Sequence, residues 1–252
     1  MKPSVRITAH GRILFSAFLV FSASSVHPAD CIVTNTSDTG PGSLREAIAS
    51  ANANPGPDAI LFHISKTDPN YNPQTGVWTI RPASSFSTIS DSNLIINGSS
   101  QRAFIGQDTN PVGPEIELDG SSTQSANGFF VKASGVEIVH LIINRFGSMG
   151  IYLSSAGRCR IAGCYIGTNP SGTAQAGNLF GVFMDGGSHH NMIVPLDTLP
   201  SIISGNPWGG IKIGFASTDN VVMGNTIGLN RTRTDTISNG LRGGYGGVYL
   251  SD

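Results

Sequence analysis

Charge is scarce in this 252-residue chain: Asp, Glu, Lys and Arg together make up 12%, and the formal net charge is -1. No basic stripe runs along it, which excludes the phosphate-neutralising surface of a nucleic-acid binder and a polybasic membrane patch. Cysteine is scarcer still. Cys31, Cys159 and Cys164 are odd in number and form no paired CxxC signature, so no zinc site is expected. Long apolar runs are missing too, since the run over 13–21 falls short of the about 20 residues a bilayer span needs. What is abundant is glycine, at 32 residues, with many Ser, Thr and Asn. That balance suits a turn-rich extracellular β protein.

Lys2, Arg6 and Arg12, the apolar run and the small residues over 22–25 together read as a secretory signal peptide over 1–29. Cleavage after Ser25 and after Ala29 are both open. A lipoprotein anchor is disfavoured, because Asp30 precedes Cys31 where a small residue is required. Removing 1–29 moves the net charge to -4, since three cations leave and no acid does.

One short phrase returns five times: GFFV from Gly128, GIYL from Gly150, GVFM from Gly181, GIKI from Gly210 and GVYL from Gly247. After each glycine the apolar residues alternate, so Phe129 and Val131, Ile151 and Leu153, Val182 and Met184, Ile211 and Ile213, Val248 and Leu250 share one face. A period of two predicts strands. A second phrase follows each time, as in Val136, Ile138, Leu141 and Ile143, then Cys159, Ile161, Cys164 and Ile166. The glycines lie 22, 31, 29 and 37 residues apart, and the excess falls in polar tracts over 168–178 and 229–246. A unit of that size cannot hide its apolar face alone, but stacked units can. The pattern predicts an all-β parallel solenoid with Cys159 and Cys164 packed inside it, a disulfide between them being the lesser reading. Cys31 has no evident partner and is either free or paired with another chain.

Ahead of these units, Ser43 and Glu46 form a capping box, and Leu44, Ala47, Ile48 and Ala51 recur at helical spacing. This predicts a short helix over 44–52 between strands at 32–34 and 59–64. It would cover the otherwise open first unit, with Leu44 and Ile48 buried and Arg45 and Ser50 facing water. Residues 65–92 read as a polar loop around a strand at 77–81. The resulting organisation is a signal peptide over 1–29, a cap over 30–92 and repeats over 93–252. The last repeat opens five residues before Asp252, so the chain reads as a fragment of a longer protein, able to self-associate through that end.

The stretches over 222–228, 166–178 and 202–213 resemble repeats of bacterial secreted right-handed parallel β-helix proteins, in the pectin-lyase-like superfamily. The segment over 31–64 is similar to the CSLREA-type segment of such proteins, with Gly42 standing where that motif's cysteine would be. The resemblance implies a secreted or cell-surface scaffold or binding protein, adhesin-like or glycan-binding. Its alternative is a lyase or glycoside hydrolase acting on acidic polysaccharide, and calcium enters only under that alternative.

Lyases of this fold need a carboxylate cluster for the metal and a base for the proton. After the inward pairs come Lys132, Ser154, Asp185, Gly214 and Ser251, so Asp185 is solitary there. Asp185, His189 and Lys212 form the only catalytic set offered, and each has a plainer reading. Asp185 lacks stacked acids, His189 and His190 point apart in a turn, and Lys212 sits where a glycine replaces the arginine of the polygalacturonase phrase. The stronger pattern lies outward: Phe130, Tyr152, Phe183, Lys212 and Tyr249 hold one position in successive units. Such a row suits sugar C–H faces, and it suits sheet stabilisation somewhat better. Asn144, Asn206 and Asn225 mark turns that invite hydrogen-bonded ladders.

Overall fold

The computed structural model describes residues 30–251; the expected signal peptide lies outside them. Three sheets of short strands make up the fold. The first runs Asp30–Val33, Ala59–Phe62, Ile95–Asn97, Glu137–Val139, Arg160–Ala162, Met192–Val194 and Val221–Val222. The second runs Phe129–Val131, Met149–Ser154, Phe180–Asp185, Gly209–Ile213 and Val248–Leu250. The third holds Val77–Ile80, Ile116–Asp119, Ile142–Asn144, Tyr165–Ile166, Ile202–Ile203 and Thr226–Ile227, with Tyr71–Asn72 added antiparallel at its edge. Every other pairing between these strands is parallel. From Ile116 onward the chain visits the third, second and first sheets in fixed rotation, adding one strand to each per unit.

The alternating residues do what period two requires. Phe129, Val131, Ile151, Leu153, Val182, Met184 and Ile211 are all buried in one continuous core, with Ile138, Ile143, Ile161 and Ile166 from the other sheets. Their register is unbroken: Phe129, Ile151, Val182, Ile211 and Val248 are successive partners. At the far end Val248 and Leu250 are exposed. Cys159 and Cys164 are buried free thiols, and Cys31 is a half-buried free thiol. Burial pushes Cys159 up to about 11 and Cys164 up to about 12.

The glycines that lead the first four phrases are required by the stacking. A Cβ on Gly128 would meet the carbonyl oxygen of Gly150 at 2.4 Å; Gly150 would meet Gly181 at 2.8 Å, Gly181 would meet Gly210 at 2.6 Å, and Gly210 would meet Gly247 at 2.5 Å. Each is a backbone atom that cannot swing away, so the units approach this closely only because the side chain is absent.

Asparagines hold the corners, though not the set expected. Phe146 donates its N–H to Asn178 Oδ1, Asn178 donates to Asn206 Oδ1 and Asn206 to Asn239 Oδ1, at 3.0, 3.1 and 2.9 Å. Their Nδ2 groups donate to the carbonyls of Ile143, Ile166 and Ile203. A second row links Cys159, Asn191 and Asn220 in the same way. Asn206 is thus a ladder member. Asn225 instead donates to Ile193 and Met223 carbonyls, and Asn144 to Glu117 and Thr168.

The N-terminal helix spans Leu44–Ala53, with Ser43 Oγ accepting from Glu46 N–H and Glu46 accepting from Gly42 N–H. Leu44 and Ile48 are fully buried. Arg45 corrects the expectation that it faces water: it donates to Asp38, Ser84 and Ser85 and lies 5.0 Å over the Phe86 ring. A long, forked side chain at a helix edge ties the helix to the 84–86 loop better than it would hydrate. Strands Ala59–Phe62 and Val77–Ile80 join the same sheets as the units after Asn93. A second helix, Ser100–Ile105, interrupts the unit that follows; its buried Gln101 accepts from the Ile64 N–H and donates to the Ile64 carbonyl. Among the described residues no helix is long and apolar enough to cross a membrane.

Candidate functional site

The recurring outward position becomes a physical row, because Phe130, Tyr152, Phe183, Lys212 and Tyr249 are register partners across the second sheet. Phe130 and Tyr152 stack at 4.7 Å between centroids and 13° between planes, Tyr152 and Phe183 at 5.3 Å and 17°. Lys132 and Lys212 place ammonium groups 5.2 Å from the two end rings. The ring faces that a sugar would need are therefore turned on one another. Phe183 is 8% exposed.

Beyond Phe183 the geometry opens. Lys212 Nζ lies 5.0 to 5.8 Å from the rings of Phe183, Phe215, Tyr245 and Tyr249, an arrangement in which ring quadrupoles hold the cation. Phe180, buried, joins this group to Trp208 by an edge-on contact and to Tyr245 by a tilted one. Trp208, Phe215 and Tyr249 are exposed. Phe215 and Tyr249 border the held positive charge and Trp208 stands exposed beside Phe180, chemistry of the kind that takes C–H-rich, hydroxyl-bearing ligands. Sequence reasoning reached Lys212 and Tyr249 but missed Trp208, Phe215 and Tyr245, which come from turns outside the repeated phrase.

The offered catalytic set is not assembled. Asp185 Oδ2 accepts from the Tyr152 hydroxyl at 2.7 Å. Burial, then this bond, raises the Tyr152 pKa. His189 bonds the Gly187 carbonyl through Nδ1, and its ring lies where a Cβ on Gly157 would sit. Lys212 is given to the aromatic group, and no hydrogen bond or ion pair joins any two of the three among the described residues.

Acids do gather elsewhere, in a place the repeated phrase could not reveal. Glu115, Glu117 and Asp119 alternate along and just before Ile116–Asp119, and all three are buried. Arg102 and His140 meet Glu115, Arg145 meets Glu117, and Arg81 and Arg145 meet Asp119. Burial works to raise the Glu115 carboxyl, but the bonds from His140 and Arg102 outweigh it and hold it below the usual value. Period-two acids in E-I-E-L-D were the available signal. Among the described residues no group of three or more His, Cys, Asp or Glu side chains is placed to hold a metal ion. A scan against protein-family models finds no family that matches this chain, and a search of curated proteins finds no match either.

Proposed function

We propose that this chain is a right-handed parallel β-helix of the pectin-lyase-like kind, secreted or displayed at the cell surface, serving as a scaffold that binds glycan. The fixed rotation through three parallel sheets, with one strand added to each per unit, supports the helical reading. The observation that carries the binding role is the pair of exposed rings Phe215 and Tyr249 around Lys212, with exposed Trp208 joined to them through Phe180. The stacked part of the row serves the sheet, and the open part serves the ligand.

An array of neutral and acidic oligosaccharides tests this, with the Trp208→Ala/Phe215→Ala double variant beside the parent chain. Binding by the parent and its loss in the double variant are expected. No binding to any glycan, or equal binding by both proteins, overturns the glycan role.

A further inference from the structure

One corner of the fold carries a second recurrence, apart from the strand phrases. Four tight turns over 72–76, 110–113, 169–172 and 230–233 each open on an asparagine, followed by Pro73, Pro111, Pro170 and Arg231 in turn. In each, the Asn carbonyl accepts the N–H that closes the turn, from Gly76, Gly113, Gly172 and Arg233 at 2.8 to 3.0 Å. The turns lie against one another in that order. Thr109 Oγ1 donates to the Gly76 carbonyl at 2.7 Å, Asn110 Nδ2 reaches the Pro170 carbonyl at 3.5 Å, and Arg231 donates its N–H to the Gly172 carbonyl at 2.8 Å.

Pro111 and Pro170 stand where Arg231 stands in the fourth turn, and a proline has no N–H. Neither can make the bond that ties the fourth turn to the third. A cleft of about 280 Å³ stays open among the first three turns, lined by Gln74, Thr75, Pro111, Val112, Pro170 and Ser171 together with Asn110. Asn110 is 3% exposed. Its Nδ2 donates to the Pro114 carbonyl at 2.7 Å, and because a carbonyl only accepts, the orientation of the amide is fixed. Oδ1 is the acceptor left over. It receives no hydrogen bond among the described residues.

None of the residues that line the cleft is charged. An ion brought there would shed water and meet no counter-charge, so the ligand is neutral. It must bring a donor for Asn110 Oδ1, polar groups for the hydroxyls and amides of the wall, and C–H surface for two pyrrolidine rings and Val112. An extended peptide is read along an open strand edge, whereas these walls are closed turns and prolines without an N–H. The volume lies at the small end for ligand sites, roughly 300 Å³ upward, which is room for one ring. We infer that this cleft binds a single uncharged sugar residue, a neutral hexose or N-acetylhexosamine, with one of its hydroxyls donating to Asn110 Oδ1. The site shares no residue with the Lys212 group and does not rest on it.

The test is saturation-transfer NMR on the intact chain with the methyl glycosides of glucose, galactose, mannose and N-acetylglucosamine, and with glucuronate and a blocked proline-rich peptide as counter-probes. At least one glycoside should bind, with an affinity indifferent to salt because no charge lines the cleft. Ser171→Trp fills the cleft from a half-buried position and should abolish that binding. Asn110→Ala should weaken it about tenfold; if that variant fails to fold, Ser171→Trp decides alone. The Trp208→Ala/Phe215→Ala variant should bind the glycoside as the parent does, which separates this site from the Lys212 group. Binding of none of the four glycosides, stronger binding of glucuronate or of the peptide, binding that survives Ser171→Trp, or binding lost in the Trp208→Ala/Phe215→Ala variant overturns the proposal.

Discussion

Phe130, Tyr152 and Phe183 meet face to face along the second sheet, whereas Phe215, Tyr245 and Tyr249 border the Lys212 ammonium group. Phe215 lies edge-on to Phe183 and Tyr245 edge-on to Tyr249, with Trp208 edge-on to Phe180 beside them. Both groups are aromatic and both stand outside the core. In the first, register brings each ring one strand spacing from the next, so the faces are consumed by the sheet's own repeat. In the second, Lys212 breaks the row, Tyr249 follows it in the sheet, and Trp208, Phe215 and Tyr245 arrive from turns, with Trp208, Phe215 and Tyr249 exposed. Position in the repeat decides whether an aromatic ring is stacked within the sheet or left exposed.

The sharpest way to break this contrast is Phe183→Ala, which should cost about 3 kcal/mol in denaturant unfolding because the ring is buried. A cost as small as that of Trp208→Ala would erase the distinction. Next comes Gly181→Ala, which drives a methyl group onto the Gly210 carbonyl and forces two units of the row apart. It should cost about 1–3 kcal/mol and leave glycan binding by folded protein intact.

Tyr152→Phe should cost about 1 kcal/mol by removing the bond to Asp185. The same hydroxyl gives a pH test. Its pKa is raised above 10.0, so the folded chain keeps a proton that the unfolded chain gives up. The stabilisation is whole below pH 10.0 and drains away as pH rises beyond it, and Tyr152→Phe should flatten that part of the curve. An unchanged alkaline slope would remove Tyr152 from the account. Trp208→Ala should move stability least, within about 0.5 kcal/mol, while reducing binding on the oligosaccharide array.

What the sequence made legible was whatever repeats. The leading glycines, the inward pairs and the outward row were all visible because period two is written into each phrase, and the structure places every one in register. The N-terminal helix was legible from Ser43 and Glu46, although Arg45 turned out to be an anchor. What occurs once stayed hidden. Glu115, Glu117 and Asp119 lie along and just before one strand while acids were sought across units. Ser100–Ile105 is too short for a helical period, and the Lys212 group draws on residues from 183 to 249 that only folding unites.

The asparagine corners carry a consequence for how such a chain can vary in length. The Asn178, Asn206 and Asn239 side chains each act as a peptide group toward the unit before, accepting one of its N–H groups and donating to one of its carbonyls. Because the contacts are the same at every step, a whole unit cut out or duplicated between two such corners presents its neighbours with partners they already fit. Length is then a free variable of this architecture, and the turns between units, where Trp208 and Asp197 sit, can diverge without disturbing it.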